Sequence, residues 1–451
     1  MHSYAPVDLT PTTADPTTWG LRNAHDPTVV QAPDGTYVMY CTDAYASGPA
    51  PAGVHMRTSA DLITWEWAGT AFEGVPTEAK EWTGAPGLWA TEVVRWSTAG
   101  ATDRWLMYYS ASTFGSRTSA IGLASAPHPL GPWEPGPLVV KSLHSATADH
   151  PETTQNAIDA AISWDGAGIP WLTYGSFFSG LYTIELDPVT GEPATPGDLG
   201  TRIASRPRSV EGALEGAYIV AKPDGNHERH VGFFSYDSLV NTYDVRVAHA
   251  PRVTGPYTDR EGAPMIASEL DGAALTEYPD WHGTLVLAGH HFDGQEPLIA
   301  PGHNSVLSTL DGDFMVHHVR FGNAIGEHSA QIRRMFWLDS GWPVVSPMTY
   351  RGEPGDFDQD LACSAASGTW QVVDFRDVPD LLPAAHDREA PCTRSRILEC
   401  AESLTEFGLV EGAVFDVVLP FTDGDATVSA FSGYAQDGVS GKLTAVFGLK
   451  V

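Results

Sequence analysis

Short apolar runs separated by Gly/Asp turns dominate the first three quarters of the chain. In one such stretch, residues 160–164 and 171–174 read as two strands joined by a turn at residues 165–168. Apolar runs of this length, bounded by turn residues, predict strands rather than helices. A unit of the same kind, in which a polar residue precedes an apolar strand, a turn and an aromatic strand, occurs five times. Its copies lie at residues 25–42, 90–112, 158–177, 215–238 and 303–321.

The five repeats predict an all-β fold that begins with a five-bladed β-propeller. A second, more variable hairpin fills each interval, so that every repeat supplies the four strands of one blade. The repeat stops near residue 348, and the polar stretch RGEPGDFDQD at residues 351–360 is interpreted as a linker. Alternating strands follow and predict a small antiparallel β-barrel domain. We therefore expect two domains, a catalytic propeller at residues 1–348 and a barrel at residues 349–451.

Propeller geometry brings five polar residues to one place. The innermost strand of each blade lines the central channel, and each repeat carries a polar residue near the start of that strand. These residues are Asp26, Glu92, Asp159, Glu215 and His303. A single acid before a strand is usually structural and caps a turn or a bulge. Acids gathered around one axis repel one another and cost stability, so the cluster indicates a functional site.

Composition narrows the range of partners. The chain has 25 basic and 56 acidic residues, a formal charge of 25 − 56 = −31. Such a charge repels nucleic acid and anionic membranes, so we expect no nucleic-acid or membrane partner and a neutral substrate. No apolar stretch reaches membrane-spanning length, and the N terminus lacks a leader pattern. The expected location is cytoplasmic, with secretion after removal of a leader as the alternative.

The acids suit the hydrolysis of a glycosidic bond, which needs one carboxylate as a base and one carboxylic acid as a proton donor. Asp26 follows the polar His25 and is expected to be the ionised base. Glu215 lies among small and apolar residues, which favour a neutral carboxyl group and suit a general acid. Asp159 would lie between them and keep Glu215 protonated and oriented. The nearby Glu211 is the alternative for the general acid.

Seven motifs together resemble glycoside hydrolase family 43. They are HDP (25–27), YYSASTFGSRTSAIGLA (108–124), NAID (156–159), YGSFFSG (174–180), EGAYI (215–219), NTYDVRVAHAPRVTGPYTD (241–259) and PGHNSVL (301–307). Within the family, these motifs are most similar to those of the endo-1,5-α-L-arabinanases. The resemblance covers residues 20–348. Residues 350–451 resemble, more weakly, the β-barrel domain that follows the propeller in larger members.

The resemblance implies an inverting hydrolase that cleaves arabinan or arabino-oligosaccharides. It assigns the general base to Asp26, the general acid to Glu215 and the tuning of that acid to Asp159. It also implies one calcium ion on the propeller axis, held by His303 and otherwise largely by water. Calcium prefers oxygen ligands, so the residues alone leave open a histidine that is merely hydrogen-bonded inside the channel. The residues that match arabinose-contacting positions are Trp89, Gly115, Asn156, Ala157, Ile158, Ser176, Phe177 and Phe178.

Three functions compete at this point. The first is an endo-acting arabinanase. The second is an exo-acting α-L-arabinofuranosidase or β-xylosidase on the same fold, which would need a groove blocked by loops such as residues 73–86 or 264–277. The third is a non-catalytic carbohydrate-binding propeller. That function predicts loss of at least one of the three acids, and all three are present.

Overall fold

The computed structural model describes residues 3–97, 103–116, 118–142, 155–207, 210–224, 227–266, 282–377 and 392–451. Throughout these residues the chain is built from β-strands, which confirms the predicted all-β class. The α-helix α1 (Thr77–Thr83) ends at Gly84, whose left-handed conformation (φ 69°) is one that glycine adopts without strain. No helix of the described residues is long and apolar enough to cross a membrane. Single 3-10 turns lie at Pro16–Thr18, Phe375–Asp377 and Leu404–Phe407.

Four antiparallel sheets of four strands follow one another along the chain. The first sheet comprises β1 (Thr28–Gln31), β2 (Tyr37–Cys41), β3 (His55–Ser59) and β4 (Glu66–Thr70). The second comprises β5 (Leu88–Trp96), β6 (Arg104–Ala111), β7 (Ala120–Ala126) and β8 (Glu134–Lys141). The third comprises β9 (Ala161–Trp164), β10 (Pro170–Tyr174), β11 (Leu181–Glu185) and β12 (Thr201–Ala204). The fourth comprises β13 (Leu214–Asp224), β14 (His227–Tyr236), β15 (Asp244–Ala250) and β16 (Thr284–Leu287).

Strands pair in chain order within each of these sheets, so neighbouring strands need only hairpin connections. The fifth sheet continues the pattern. Its strands are β17 (His290–His291), β18 (Leu298–Thr309), β19 (Gly312–Phe321), β20 (Ala324–Trp337) and β21 (Pro343–Val345). The predicted hairpin at residues 160–174 is the pair β9–β10, in which Leu172 lies opposite Ile162.

Apolar clusters pack each sheet against the next. Because side chains alternate along a strand, Met107 of β6 faces the first sheet whereas its neighbour Tyr108 faces the third. Further clusters join the third sheet to the fourth and the fourth to the fifth. The last cluster joins the fifth sheet back to the first through Phe314 and Met39. Each of the five sheets is therefore covered on both faces by its neighbours.

The C-terminal region forms a further antiparallel sheet. Its strands are β22 (Phe357–Asp358), β23 (Gly368–Asp374), β25 (Arg396–Cys400), β26 (Leu409–Phe421), β27 (Gly424–Gln436) and β28 (Leu443–Lys450), in the order β22-β26-β27-β28-β23-β25. The short strand β24 (Thr393–Arg394) instead pairs in parallel with β17 of the fifth sheet. Both faces of the C-terminal sheet are apolar. One face, with Phe415 and Phe447, packs against the fourth and fifth sheets, and the other, with Trp370 and Phe431, has its own core.

Most of the predicted linker at residues 351–360 is exposed, but Glu353 attaches it to the fifth sheet. Glu353 is buried, and its backbone carbonyl accepts hydrogen bonds from Arg334 Nε (3.0 Å) and Nη2 (2.7 Å). The hydroxyl group of Tyr434 in β27 donates to the carbonyl of Pro343 in β21 (2.5 Å). The contact with Arg334 satisfies the backbone carbonyl of the buried Glu353, and the Gly/Pro-rich composition of the stretch does not reveal it.

Candidate active site

One cavity is lined by three consecutive residues from each of the five sheets. The triplets are Asp26–Pro27–Thr28, Ala90–Thr91–Glu92, Asp159–Ala160–Ala161, Gly216–Ala217–Tyr218 and His303–Asn304–Ser305. Because alternate residues of a strand share a face, the first and third members of each triplet face the cavity in two layers. We call the layer of the first members the upper layer and the layer of the third members the lower layer. The upper layer therefore holds Asp26, Asp159 and His303. Glu215 directly precedes Gly216, the first member of the fourth triplet. Of the five polar residues predicted to converge, Asp26, Glu92, Asp159 and His303 line this cavity, and Glu215 directly precedes the lining residue Gly216.

Glu92 lines the cavity one layer below Asp26, Asp159 and His303. Its carboxylate accepts hydrogen bonds from the hydroxyl groups of Thr28 (2.8 Å) and Tyr218 (3.3 Å), both in the lower layer. Burial raises the pKa of Glu92 to about 8. Ala90 takes the position that corresponds to Asp26. The prediction that Glu92 occupies this position in the second sheet is therefore wrong. The reason is that β5 begins four residues before Glu92, whereas β1 begins two residues after Asp26.

Three upper-layer residues share an unusual backbone conformation. Asp26 (φ 51°), Asp159 (φ 63°) and His303 (φ 48°) all adopt the left-handed region, and Gly216 of the fourth sheet does so too (φ 57°). Non-glycine residues seldom adopt this conformation, and such strain concentrates at functional sites. Its recurrence at one position in four sheets supports their structural equivalence.

Asp26 is surrounded by imidazole rings. Its Oδ1 atom lies 2.8 Å from Nδ1 of His25, 3.2 Å from Nδ1 of His303 and 3.3 Å from Nδ1 of His318. The hydroxyl group of Thr42 donates to Oδ2 (2.6 Å). Burial alone would raise the pKa of Asp26, but His25 and His303 outweigh it and bring the pKa well below its usual range. Asp26 is therefore ionised, as the sequence predicts for the base.

Glu215 is held by two hydroxyl groups. Ser176 Oγ donates to Oε2 (2.7 Å), and the hydroxyl of Tyr243 donates to Oε1 (2.7 Å). A backbone bridge between Ser176 and Glu215 fixes the two segments against each other. Glu215 is buried at 7% exposure, whereas the alternative acid Glu211 is exposed. The geometry therefore favours Glu215 over Glu211.

Asp159 connects the two sides of the site. Its backbone amide donates to Ser110 Oγ (3.0 Å), and its carboxylate is hydrogen-bonded to the amide of Gly216, the residue after Glu215. Its Oδ2 atom is buried without a hydrogen-bond partner. Burial raises the pKa of Asp159 well above its usual range, and the charges of Glu215 and Asp26 raise it further. The pKa of Asp159 therefore depends on the charges of both Glu215 and Asp26.

The residues predicted to contact sugar fall into two groups. Trp89, Phe177 and Phe178 are partly exposed, and Gly115 occupies a left-handed turn with open space beside it. By contrast, three predicted contacts are buried: Asn156, Ala157 and Ile158. The side chain of Asn156 accepts a hydrogen bond from Ser119 Oγ (2.7 Å), and the amide of Ala157 donates to Ser142 Oγ (2.7 Å).

In this structure the buried group braces the irregular segment that leads to Asp159 and then to β9. Ser176, also predicted to contact sugar, binds Glu215 instead of facing open space. A role for any of these residues in sugar binding stays a prediction. Of the two loops that would decide groove blocking, residues 73–86 are described, but most of residues 264–277 lie outside the described residues.

Sequence reasoning missed two functional neighbours, His318 and Tyr243. Adjacent residues of a strand point to opposite faces, and His317 and His318 of β19 do so. His317 contacts Arg333 Nε (3.1 Å), whereas His318 reaches Asp26. Tyr243 belongs to a motif that resembles the family, but nothing in the sequence places its hydroxyl group on Glu215.

The chemistry of the cavity suits a hydrated divalent cation. Asp26 supplies negative charge, and among the described residues the Oδ2 atom of Asp159 and both side-chain polar atoms of the buried Asn304 lack hydrogen-bond partners. Calcium prefers such oxygen atoms, either directly or through water. Burial lowers the pKa of His303, but Asp26 and Asp159 raise it by more, so the net shift is upward. The acidic residues around His303 therefore make its surroundings negative, which would favour a cation.

A carboxylate kept ionised by histidines and a second carboxyl group held by two hydroxyls, both beside one cavity, define the site of a glycoside hydrolase. The comparisons with known proteins agree. The model of the glycosyl hydrolases family 43 matches residues 21–343. The chain belongs to this family.

Three relatives illustrate the similarity. "Extracellular endo-alpha-(1->5)-L-arabinanase 2" of Bacillus subtilis (strain 168) is 28% identical over 364 residues, which cover 73% of this chain and 72% of the relative. "Extracellular endo-alpha-(1->5)-L-arabinanase 1" of the same strain is 30% identical over 337 residues, 72% of this chain and 89% of the relative. The crystal structure of endo-1,5-alpha-L-arabinanase from Thermotoga petrophila RKU-1 matches with a TM-score of 0.71 at 22% identity. That match covers 98% of this chain and 100% of the other chain, and it concerns the fold.

The names of these relatives correct one expectation from the sequence. Both Bacillus subtilis proteins are named extracellular, so the predicted cytoplasmic location is wrong. That prediction depended on the absence of a leader pattern at the N terminus. A leader is removed from a mature secreted protein, so its absence does not report the location.

Proposed function

We propose that this protein is an endo-acting glycoside hydrolase that cleaves the α-1,5-linked L-arabinofuranosyl bonds of arabinan with inversion. The observation that carries the proposal is the pairing of an ionised Asp26 with a hydroxyl-bound Glu215 beside one cavity. The family membership and the names of the relatives supply the substrate class. The third function considered, a binding protein without catalysis, does not account for three buried acids around one cavity.

The proposed architecture is a five-bladed propeller at residues 1–348 followed by a β-barrel domain at residues 349–451. Two features support the blade count: the apolar clusters that join the fifth sheet back to the first, and the triplets that all five sheets contribute to one cavity. The separate core of the C-terminal sheet, around Trp370 and Phe431, supports a curled sheet that encloses its own interior. The domains meet through the opposite face of that sheet.

In the proposed mechanism the sugar lies between Asp26 and Glu215. Asp26 takes a proton from a water molecule while the water oxygen attacks the anomeric carbon. Glu215 gives its proton to the glycosidic oxygen as the bond from that oxygen to the anomeric carbon breaks. The water enters from the face opposite the leaving group, so the configuration inverts, and the two carboxyl groups need a separation of roughly 6.5–9.5 Å to admit it.

Asp159 orients and tunes the acid in this scheme. Its carboxylate binds the amide that follows Glu215, and its charge state depends on Glu215. The partly exposed rings of Trp89 and Phe178 are suited to stack on sugar units, because an aromatic face offers apolar contact to the sugar ring.

The proposal includes one calcium ion on the propeller axis. His303 would bind it directly, and oxygen atoms such as those of Asp159 and Asn304 would be reached through water. When bound, the ion would supply positive charge that offsets the repulsion between the converging carboxylates. We also propose that the protein is secreted, like the relatives that are named extracellular, and that arabinan outside the cell is its polymeric substrate.

The product profile on linear arabinan tests the function. An endo-acting enzyme releases a mixture of oligosaccharides at early times, whereas arabinose alone from the outset would show exo action. Glu215→Ala is expected to abolish hydrolysis while arabino-oligosaccharides still bind. Glu211→Ala, at the exposed neighbouring acid, is the matched control and should retain activity. Full activity of Glu215→Ala would rule out its role as the general acid.

A further inference from the structure

Tyr243 occupies a fixed position between the two sides of the site. It immediately precedes β15, is 1% exposed, and donates its hydroxyl hydrogen to Glu215 Oε1 (2.7 Å). One face of its ring stacks on His318 at a centroid distance of 5.6 Å and an interplanar angle of 26°. His318 in turn contacts Asp26. A single side chain therefore contacts the proposed acid directly and the proposed base through one imidazole.

The backbone of Gly302 lies close against the ring of Tyr243 and limits its movement. A Cβ atom at Gly302 would lie only 2.1 Å from Cδ1 of Tyr243, far closer than two carbon atoms can approach. Gly302 belongs to the segment that carries His303. Gly302 and His318 lie opposite each other on the paired strands β18 and β19, so the ring packs against the bare backbone of Gly302 beside the imidazole of His318. Such support gives a hydrogen-bond donor a defined direction.

The two hydroxyl groups on Glu215 differ in what they can do. A serine hydroxyl rotates freely and can donate or accept, so Ser176 suits both the ionised and the protonated carboxyl group. Burial and then the charges of Glu215, Asp26 and Asp159 raise the pKa of Tyr243 well above its usual range. Its hydroxyl therefore keeps its proton and donates to Oε1 throughout. The transferable proton of Glu215 then belongs on Oε2, beside Ser176.

We propose that Tyr243 is a positioning residue that holds the general acid by Oε1 and so directs the transferred proton to Oε2. This inference rests on the proposed function. During the reaction the Oε2–H bond breaks, and its proton joins the glycosidic oxygen as that oxygen leaves the anomeric carbon. The electron pair of the Oε2–H bond stays on Glu215. The hydrogen bond from Tyr243 then stabilises the carboxylate that remains.

Leaving-group dependence distinguishes this role from a structural one. Arabinan has a sugar alkoxide as its leaving group, which needs a proton, whereas 2,4-dinitrophenolate leaves without one. Tyr243→Phe should therefore lower kcat on linear arabinan by roughly 10- to 100-fold, the effect of one lost hydrogen bond to a charged group. On a 2,4-dinitrophenyl α-1,5-arabinotrioside the same variant should stay within about threefold of the wild type, because general acid catalysis is not needed there.

Two reference variants make the outcome unambiguous. Tyr257→Phe removes a buried tyrosine hydroxyl of the fourth sheet region that donates only to the carbonyl of Val253 (3.1 Å), and it should change neither rate. Glu215→Gln should show the same selective loss on arabinan as Tyr243→Phe, but a larger one. Thermal melting of each variant confirms that it is folded. Gly302→Ala, which displaces the same ring, should also lose more activity on arabinan than on the aryl substrate.

The possible results separate the two proposals. If the wild type hydrolyses neither substrate, the proposed function fails. If the wild type hydrolyses both and a folded Tyr243→Phe loses equally on both, or loses nothing on arabinan, the positioning role of Tyr243 is overturned while the function stands. A selective loss on arabinan supports the role.

Discussion

A buried ion pair next to the proposed acid gives a sharp prediction about stability. Arg206 Nη1 donates both to Asp237 Oδ1 (2.8 Å) and to the backbone carbonyl of Ala213 (2.8 Å), two residues before Glu215. Both charged side chains are almost fully buried, at 1% and 2% exposure. Replacing Arg206 by Met keeps the apolar stem but leaves the carboxylate of Asp237 without this partner in a medium that solvates it poorly. Breaking a buried pair in this way costs about 3–5 kcal/mol of the free energy of unfolding.

An exposed pair in the same protein is the matched control. Arg95 and Asp103 also form a two-point pair, with distances of 3.1 and 2.6 Å, but their side chains are 55% and 54% exposed. Solvent screens such a pair, so Arg95→Met should leave the free energy of unfolding almost unchanged. Urea denaturation at pH 8, followed by fluorescence, compares the two variants. Equal and small losses would refute the argument that burial decides the cost.

The same variant has a pH signature. Burial raises the pKa of Asp237 to about 6, although Arg206 opposes the shift. Without Arg206 the pKa rises further, so Asp237 takes up a proton more readily in the folded state than in the unfolded state. The stability lost by Arg206→Met should therefore be largest at pH 8 and shrink towards pH 5. A deficit that grows as the pH falls would contradict this reasoning. Arg206→Met also removes the hydrogen bond to the carbonyl of Ala213, close to Glu215, so it should reduce kcat on arabinan. Arg95→Met should leave kcat unchanged.

Three other predictions follow from single features of the structure. Burial, followed by Arg229 and Arg260, lowers the pKa of His249 to about 3, so its stabilisation is full above pH 6.5 and is lost as the pH falls below that value. From pH 7 to pH 5 the wild type should therefore lose roughly 1–2 kcal/mol more of its free energy of unfolding than His249→Phe loses, as measured by urea denaturation. Equal losses in the two proteins would contradict this role of His249. Asp159→Asn should lower kcat on arabinan by about 100-fold or more without lowering the melting temperature, and near-normal activity would exclude its tuning role. Removal of calcium with a chelator should lower the melting temperature, and calcium but not magnesium should restore it; no change would argue against the ion.

The sequence was sufficient for the features that recur with a simple period. The strand and turn pattern predicted the five-fold repeat, and the equivalent positions of Asp26, Asp159 and His303 followed from it. Their shared left-handed backbone shows why this worked, since the same local turn precedes the innermost strand in several sheets. Glu92 was misplaced because β5 starts earlier than β1 relative to its acid, a shift that composition does not reveal.

Features that depend on contacts between distant segments could not be predicted. The ring of Tyr243 reaches Glu215, 28 residues away, and the imidazole of His318 reaches Asp26 across 292 positions. These residues come into contact only because neighbouring sheets pack together, and no local sequence pattern predicts that packing. Likewise, Asn156 reads as a polar residue beside an acid, but its hydrogen bond from Ser119 places it in the supporting structure.

The configuration of the first product tests the central claim most directly. The claim is that Asp26 activates a water molecule while Glu215 protonates the leaving oxygen in a single displacement. NMR of the products of arabinan hydrolysis, recorded before the sugars mutarotate, identifies the first-formed anomer. The account predicts the β-anomer from the α-linked substrate. An initial α-anomer would mean retention through a covalent intermediate and would contradict the roles assigned to both carboxyl groups.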